Sequence, residues 1–167
     1  MPNTRLVYIA LGSNLGDRET NLARGMQAMT AAGIRVLRQS SLYVTEPVDA
    51  SSQSWFLNAV VEAETVLMPR QLLRTLMGIE RAMGRRRTSP HGPRTLDLDL
   101  LFYGSSIIRT PDLEVPHPRL PARRFVLVPL AELAAGLRHP ISRRTVRELL
   151  AETPDGSQIR RWRPPLS

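Results

Sequence analysis

The sequence predicts an α+β fold, a sandwich in which helices pack on one face of an antiparallel sheet in the chain order βαββαβ. Two observations carry this reading. Short apolar or alternating runs at residues 5–12, 34–45, 55–65 and 95–103 are interleaved with two segments of helical periodicity, at 18–32 and 69–83. Gly, Pro, Ser and Asn cluster at the junctions between them. A chain of 167 residues buries a sizeable core without help, and this one contains no cysteine, so neither a disulfide nor a thiolate zinc site is needed. One domain spanning residues 1–167 is expected.

Each element has its own local cause. Residues 5–12 (RLVYIALG) form a buried strand that stops at Gly12-Ser13-Asn14-Leu15-Gly16, a structural turn that lacks the Lys-Ser/Thr ending of a Walker motif. Asp17 is placed to cap a helix in which Leu22, Met26 and Met29 recur at helical spacing, up to Gly33 as terminator. Residues 34–45 have strand character, and after a Pro/Ser-rich loop at 46–54 the segment 55–65 resumes it, which makes a hairpin with a long connection. Alternation in the second strand puts Phe56, Asn58, Val60, Glu62 and Glu64 on one face and Trp55, Leu57, Ala59, Val61 and Ala63 on the other. Pro69 fits the first turn of another helix, whose stripe of Leu72, Leu73, Leu76, Met77, Ile79 and Met83 ends at Gly84. Residues 95–103 supply the last strand of the pattern. Beyond them a proline-rich stretch from 111 to 129 leads to a short helix opened by the capping-box run Thr145-Val146-Arg147-Glu148, and then to a polar, frayed tail.

Composition excludes several chemistries. There are 23 Lys plus Arg against 15 Asp plus Glu, a formal charge of +8, and every basic residue is arginine. Without lysine there is no Schiff base, P-loop lysine or kinase-type strand lysine, so phosphate chemistry falls to arginine and metal. Without cysteine there is no catalytic thiol and no iron–sulfur centre. No apolar run approaches the roughly 18 residues of a membrane span, and the run at 6–11 is too short for a secretory signal. A soluble cytoplasmic protein with no membrane partner is expected.

The segment that bears chemistry is His91-Gly92-Pro93-Arg94-Thr95-Leu96-Asp97-Leu98-Asp99-Leu100. A strand period of two puts Asp97 and Asp99 on one face. Two neighbouring carboxylates repel unless a cation sits between them, and an all-oxygen pair suits magnesium held jointly with substrate phosphates; the same pattern also describes an acidic solvent face. Just before it, Arg85-Arg86-Arg87 follows a helix C-terminus, where cations are favoured anyway. Its other reading is a mobile arginine loop that closes on polyphosphate beside the aspartates. Phe56 and Phe125 fit the core on residue type alone, and His117 is a single loop histidine with no second His at zinc-ligand spacing.

Taken together, these stretches closely resemble the 6-hydroxymethyl-7,8-dihydropterin pyrophosphokinases of folate biosynthesis. The resemblance runs over nearly the whole chain. It begins at Tyr8-Ile9-Ala10-Leu11-Gly12-Ser13-Asn14-Leu15-Gly16 and passes through Ser41-Leu42-Tyr43-Val44-Thr45-Glu46-Pro47, Phe56-Leu57-Asn58-Ala59-Val60, Ile79-Glu80 and Gly84-Arg85. Gly92-Pro93-Arg94-Thr95-Leu96-Asp97-Leu98-Asp99 is its most specific part, and Val115-Pro116-His117, Arg123 and Phe125 complete it. The chain departs from the pattern at Pro90, His91 and Pro118, and its arginine loop is one residue shorter.

The resemblance implies a ferredoxin-like fold with a C-terminal extension, and transfer of diphosphate from ATP to the pterin hydroxymethyl group with release of AMP. It implies that Asp97 and Asp99 hold two magnesium ions and are catalytic together with Arg85 and Arg94. Arg85, Arg94 and Arg123 then contact phosphates, with Arg87 as a further basic loop position, and Glu80, Leu100 and His117 lie at nucleotide-binding positions. Phe56 and Phe125 would sandwich the pterin and Asn58 would read its polar edge. Asp97 and the backbone around Thr45, Pro47 and Val48 would assist. Phe56 and Asn58, two apart on a strand, do face the same side. ATP and the hydroxymethylpterin are the expected partners, with no nucleic acid, and the chain is expected to be a monomer. The rival reading, an RNA-binding module on the same fold, calls for exposed aromatics in an Arg-Gly-Phe-Gly-Phe-like run. The sequence has no such run, and an acidic pair on its strand repels phosphate unless metal-loaded.

Overall fold

The computed structural model describes residues 3–46, 55–84 and 95–162. Strand β1 (Arg5–Ser13) is followed by helix α1 (Arg18–Ala31), strands β2 (Ile34–Gln39), β3 (Tyr43–Thr45) and β4 (Phe56–Thr65), helix α2 (Pro69–Ala82) and strand β5 (Asp97–Tyr103). These form the expected α+β core. The sheet runs β5-β1-β4-β3, β2 also pairs with β4, and every one of these pairings is antiparallel.

The helix ends follow from the residues that set them. The Asp17 carboxylate accepts a hydrogen bond from the Thr20 N–H at 3.1 Å and so caps α1. Pro69 opens α2, and Gly33 and Gly84 take the positive φ values of 93° and 90° that follow α1 and α2. The segment expected as one strand over 34–45 is two strands. Between them the Ser40 hydroxyl accepts from the Val60 N–H while the Ser40 N–H donates to the Val60 carbonyl, both at 2.9 Å. A side chain thus replaces a ladder contact and bends the chain without leaving β4.

Helices cover both faces of the sheet, which corrects the one-sided sandwich. On the first face, Leu22 and Met29 of α1 and Leu72, Leu76 and Ile79 of α2 pack against Val7, Ile9, Leu11, Leu57 and Val61. On the second, Tyr8, Val60 and Phe102 are buried under Leu127 and Leu130 of helix α3 (Arg124–Ala134) and Leu149 of helix α4 (Val146–Glu152). Helix α3 lies within what reads as a proline-rich stretch and contains Pro129. That proline withholds a donor from the Phe125 carbonyl, at a cost of about 3 kcal/mol in a helix interior; burial of Val126, Leu127 and Leu130 offsets it. The Thr145/Glu148 capping box opens α4 as expected.

Two short strands, β6 (Ile108–Arg109) and β7 (Glu114–Val115), pair with each other beside the main sheet. The frayed tail is the second correction. Residues Ile159–Arg161 form β8, which pairs antiparallel with β3 and extends the sheet. Trp162 follows it, donating its N–H to the Leu42 carbonyl at 2.8 Å.

A carboxylate ties α3 to this edge. Glu132 accepts from the Tyr43 hydroxyl at 2.6 Å and from the Ser41 N–H and hydroxyl. Burial disfavours its charge, but the bonds from Tyr43 and Ser41 outweigh burial and hold the carboxyl below its ordinary range. A group with a depressed folded-state pKa contributes stability above its unfolded value near 4.5 and loses it as the pH falls through the folded value. Denaturant unfolding of Glu132→Gln should therefore show a shallower acid loss below that pH than the parent chain, and identical slopes contradict this assignment. Leu127→Ala, at a fully buried position, should cost about 2–5 kcal/mol. A cost under about 0.5 kcal/mol, the range of surface substitutions, is incompatible with a docked α3.

Candidate active site

The register of β1 with its two neighbours builds the floor of the site. Gly12 lies opposite Asn58 of β4 and opposite Asp97 of β5, and Ala10 lies opposite Val60 and Asp99. On β3, Tyr43 lies opposite Asn58 and Thr45 opposite Phe56. Residues directly opposite one another share a face. Asp97, Asp99, Asn58, Phe56 and Thr45 therefore occupy the same face as Tyr8 and Val60, the one that α3 covers. Strands lie about 4.8 Å apart, so two strand spacings separate the acidic pair from the amide by about 10 Å.

Gly12 fills that interval. A Cβ at this position would lie 2.6 Å from Asn58 Oδ1 and 3.5 Å from Phe56 Cδ1. The sequence reading gives residues 12–16 to a turn, but β1 continues to Ser13 and the positive φ of the turn is at Gly16, 71°. Gly12 is thus a floor residue that sequence reasoning missed. Its signal is the pairing register, which one sequence does not display.

Asn58 is buried, and its amide donates to the Thr45 hydroxyl at 2.6 Å. With the donor end so engaged, Oδ1 is directed over Gly12 as an acceptor. Phe56 and Phe125 are both half-buried rather than enclosed in the core. Phe125 sits in the first turn of α3, and the Arg123 guanidinium carbon lies 5.4 Å from its ring centroid. Phe56 and the Asn58 acceptor thus stand on one side of the acids, while Arg123, over Phe125, also bears on His117 beside Asp99.

On the acidic side, His117 Nε2 lies 4.0 Å from Asp99 Oδ1, and Nδ1 accepts from the Arg119 N–H at 3.2 Å. Burial, with Arg123 and Arg119 nearby, pushes the imidazole pKa down to about 4 against the pull of Asp97. The ring is therefore neutral at pH 7. Among the described residues no group of three or more His, Cys, Asp or Glu side chains makes a metal cage. Asp97 and Asp99 are the carboxylates that β5 brings beside His117 on this face.

Two of the expected nucleotide positions are built into the packing of the sheet. Leu100 points its side chain into the core on the α1/α2 face, so only its backbone remains available to a ligand. Glu80 is 3% exposed, and Oε2 accepts the Leu98 N–H at 2.8 Å. Leu98 lies between the two aspartates on an outermost strand of the sheet. Glu80 therefore joins the end of α2 to the acidic strand. Arg85, Arg87, Arg94, Pro47 and Val48, with the rest of the arginine loop, lie outside the described residues.

Comparison with known proteins gives the family. The family model for 7,8-dihydro-6-hydroxymethylpterin-pyrophosphokinase (HPPK) matches residues 8–135, which hold every described site residue. The chain belongs to the HPPK family. It is 42% identical over 159 residues to the 2-amino-4-hydroxy-6-hydroxymethyldihydropteridine pyrophosphokinase of Bacillus subtilis, covering 95% of this chain and 90% of that one. The protein of the same name from Methylorubrum extorquens is 44% identical over 155 residues, covering 92% and 96%. The mitochondrial folate synthesis bifunctional protein of Arabidopsis thaliana is 50% identical over 127 residues, 76% of this chain but 23% of that one. Against such multifunctional relatives the HPPK-family chain spans only about a quarter of their length. Among solved structures, wild-type Plasmodium falciparum HPPK-DHPS superposes with a TM-score of 0.69 at 16% identity, over 90% of this chain and 45% of that one, a likeness of fold.

Two substitutions test the floor and its anchor. Glu80→Ala leaves the Leu98 N–H without its acceptor and should cost about 1–3 kcal/mol, whereas Glu80→Gln, which keeps an acceptor oxygen, should restore most of it. Equal unfolding free energies for the two variants contradict the anchor. Gly12→Ala should displace the Asn58 amide, visible as a shift of its side-chain NH2 resonances; an unchanged spectrum means that the floor has room.

Proposed function

We propose that this chain transfers diphosphate from ATP to the hydroxymethyl oxygen of 6-hydroxymethyl-7,8-dihydropterin, as a step of folate synthesis. The pterin oxygen forms a bond to the β-phosphorus, the bond from that phosphorus to the α,β-bridging oxygen breaks, AMP leaves, and the hydroxyl proton is given up. One observation carries the reading. A paired acid and a buried amide share one sheet face, separated by a residue without a side chain.

Each group has work that suits its chemistry. The planar, amide-edged pterin lies between Phe56 and Phe125 over Gly12, and the Asn58 acceptor reads its N–H edge while Thr45 holds the amide in that orientation. The triphosphate lies on the acidic side, where Arg123 and, from the resemblance, Arg85, Arg87 and Arg94 take up its charge without any lysine. His117, neutral and with Nδ1 already accepting, turns an N–H toward Asp99 and the nucleotide.

Asp97 and Asp99 are the residues that would hold magnesium, an ion that takes few protein carboxylates and completes its shell with water and substrate phosphate. When bound it would neutralise charge developing on the transferred group. Absence of a third protein ligand among the described residues fits such a shared site better than a closed protein cage. A ferredoxin-like reading of the strand order, and action as a cytoplasmic monomer, belong to the same proposal. Among the described residues no helix is long and apolar enough to cross a membrane.

Asp97→Asn and Asp99→Asn should each lower AMP release by at least about a hundredfold, the scale of one lost electrostatic transition-state contact. Their metal-free melting temperatures should hold or rise, because removing one of two like charges relieves repulsion. Normal turnover in both variants, or lost turnover with a collapsed melting transition, contradicts the assignment. Phe125→Ala should weaken pterin binding roughly ten- to a hundredfold and spare ATP, measured by titration calorimetry. Unchanged pterin affinity contradicts the pocket.

A further inference from the structure

The match to the family stops at residue 135, yet the chain goes on to place α4, β8 and the loop between them against the site. That loop reaches two elements at once. Helix α3 begins at Arg124 with Arg123 as its N-cap, and no side-chain cap bond is made there. A helix start needs acceptors for its first N–H groups and favours negative charge. Asp155, 31 residues further on, supplies both, since Oδ2 accepts the Arg124 N–H at 2.8 Å. The guanidinium of Arg124 answers by donating to the Ser157 carbonyl at 2.9 Å, and the Ser157 N–H and hydroxyl both donate to Asp155 Oδ1, the former at 2.9 Å.

Three residues beyond Asp155, the Gln158 N–H donates to Glu46 Oε1 at 2.8 Å. Immediately after that, β8 pairs with Tyr43–Thr45. The two attachments land next to the two walls of the cleft. Arg124 precedes Phe125, and Glu46 follows Thr45. Three residues reach at most about 10 Å even when extended, so the segment from Asp155 to Gln158 limits how far the start of α3 and the end of β3 can separate.

We infer that residues 155–158 form a brace that sets the width of the pterin cleft, with Asp155 as a positioning residue acting through Phe125 and the Gln158–Glu46 bond acting through Thr45. The inference rests on reading Phe125 and Thr45 as pterin contacts. The brace touches neither the acids nor His117 through any of these bonds. Arg123, the phosphate contact of the proposed function, directly precedes Arg124, so loss of the Asp155 bond reaches the triphosphate to a lesser degree, whereas loss of the Glu46 bond should reach the pterin and not ATP.

Steady-state kinetics on the full chain test it, with hydroxymethyl-dihydropterin and ATP varied in turn. Asp155→Ala should raise the pterin KM about tenfold, the scale of one lost hydrogen bond to a charged group, and the ATP KM by a smaller factor through Arg123. Asp155→Asn should recover part of the loss, because one amide oxygen can still accept the Arg124 N–H. Glu46→Ala should raise the pterin KM from the opposite wall and leave the ATP KM and kcat within about twofold, and it carries the prediction alone if Asp155→Ala fails to fold. A pterin KM unchanged in Asp155→Ala and Glu46→Ala, or pterin and ATP KM values that rise by the same factor in Glu46→Ala as kcat falls, overturns the brace. Phe125→Ala serves as the reference. If it raises the pterin KM while the brace variants do not, the pocket stands and the brace is wrong. Should Phe125→Ala itself leave the pterin KM unchanged, the pocket reading fails and the brace fails with it.

Discussion

The register of β1 between β4 and β5 is the constraint on which the rest of the structure depends. Gly12 is paired on both sides, with Asn58 and with Asp97, and that double pairing puts an acid, a gap and an amide in one row. A slip of one residue would turn Asp97 and Asp99 into the α1/α2 core and bring Leu98 and Leu100 onto the site face. The apolar cost resists such a slip. Val7, Ile9 and Leu11 pack against the α1/α2 face while Tyr8 packs under α3, so both faces of β1 are committed. β5 accommodates both with an irregularity, pairing Ile9 with Leu100 but Tyr8 with Phe102. The extra residue, Leu101, lets Phe102 stay in the second core while the two aspartates keep their face.

Charge is distributed so that the acids are not the only electrostatic feature of this face. Arg123 lies over Phe125, and Arg119 and Arg123 both bear on His117. A protonated imidazole here would add a third cation beside the acids. Burial keeps it neutral instead, which leaves an N–H for hydrogen bonding without cancelling the charge of Asp99. An all-arginine complement suits such a place. Guanidinium groups stay charged and can engage a phosphate with two donors while lying on an aromatic face.

Much of the core was legible in the sequence because period and punctuation agree there. Asp17, Gly33, Pro69 and Gly84 fall where helices begin and end, and the alternation in β4 separates Asn58 from Leu57 as expected. The pairing of Asp97 with Asp99 on one face was legible for the same reason. Features that depend on distant partners were not. Helix α3 was hidden by Pro129, whose local cost is offset only by burial against Tyr8 and Phe102. Strand β8 exists because β3 leaves an edge for it, and its own residues, Ile159, Arg160 and Arg161, carry little strand signal. The bond from the Leu98 N–H to Glu80 was not legible, because it joins residues 18 apart through tertiary packing. The role of Gly12 needed the register of two pairings.

The central claim is that the metal and the nucleotide meet on the Gly12 face, at the acidic end of the row. Paramagnetic broadening in the amide NMR spectrum, with manganese and a non-hydrolysable ATP analogue added to the full chain, tests this most directly. The account predicts that the Ala10, Gly12, Asp97 and Asp99 amides broaden first and that Asp97→Asn abolishes the effect. A cleft of about 810 Å³ lined by Arg18, Trp55, Arg160, Arg161 and Trp162 is another cationic, aromatic hollow. Broadening centred there, with the Gly12 and Asp99 amides sharp, would contradict the account.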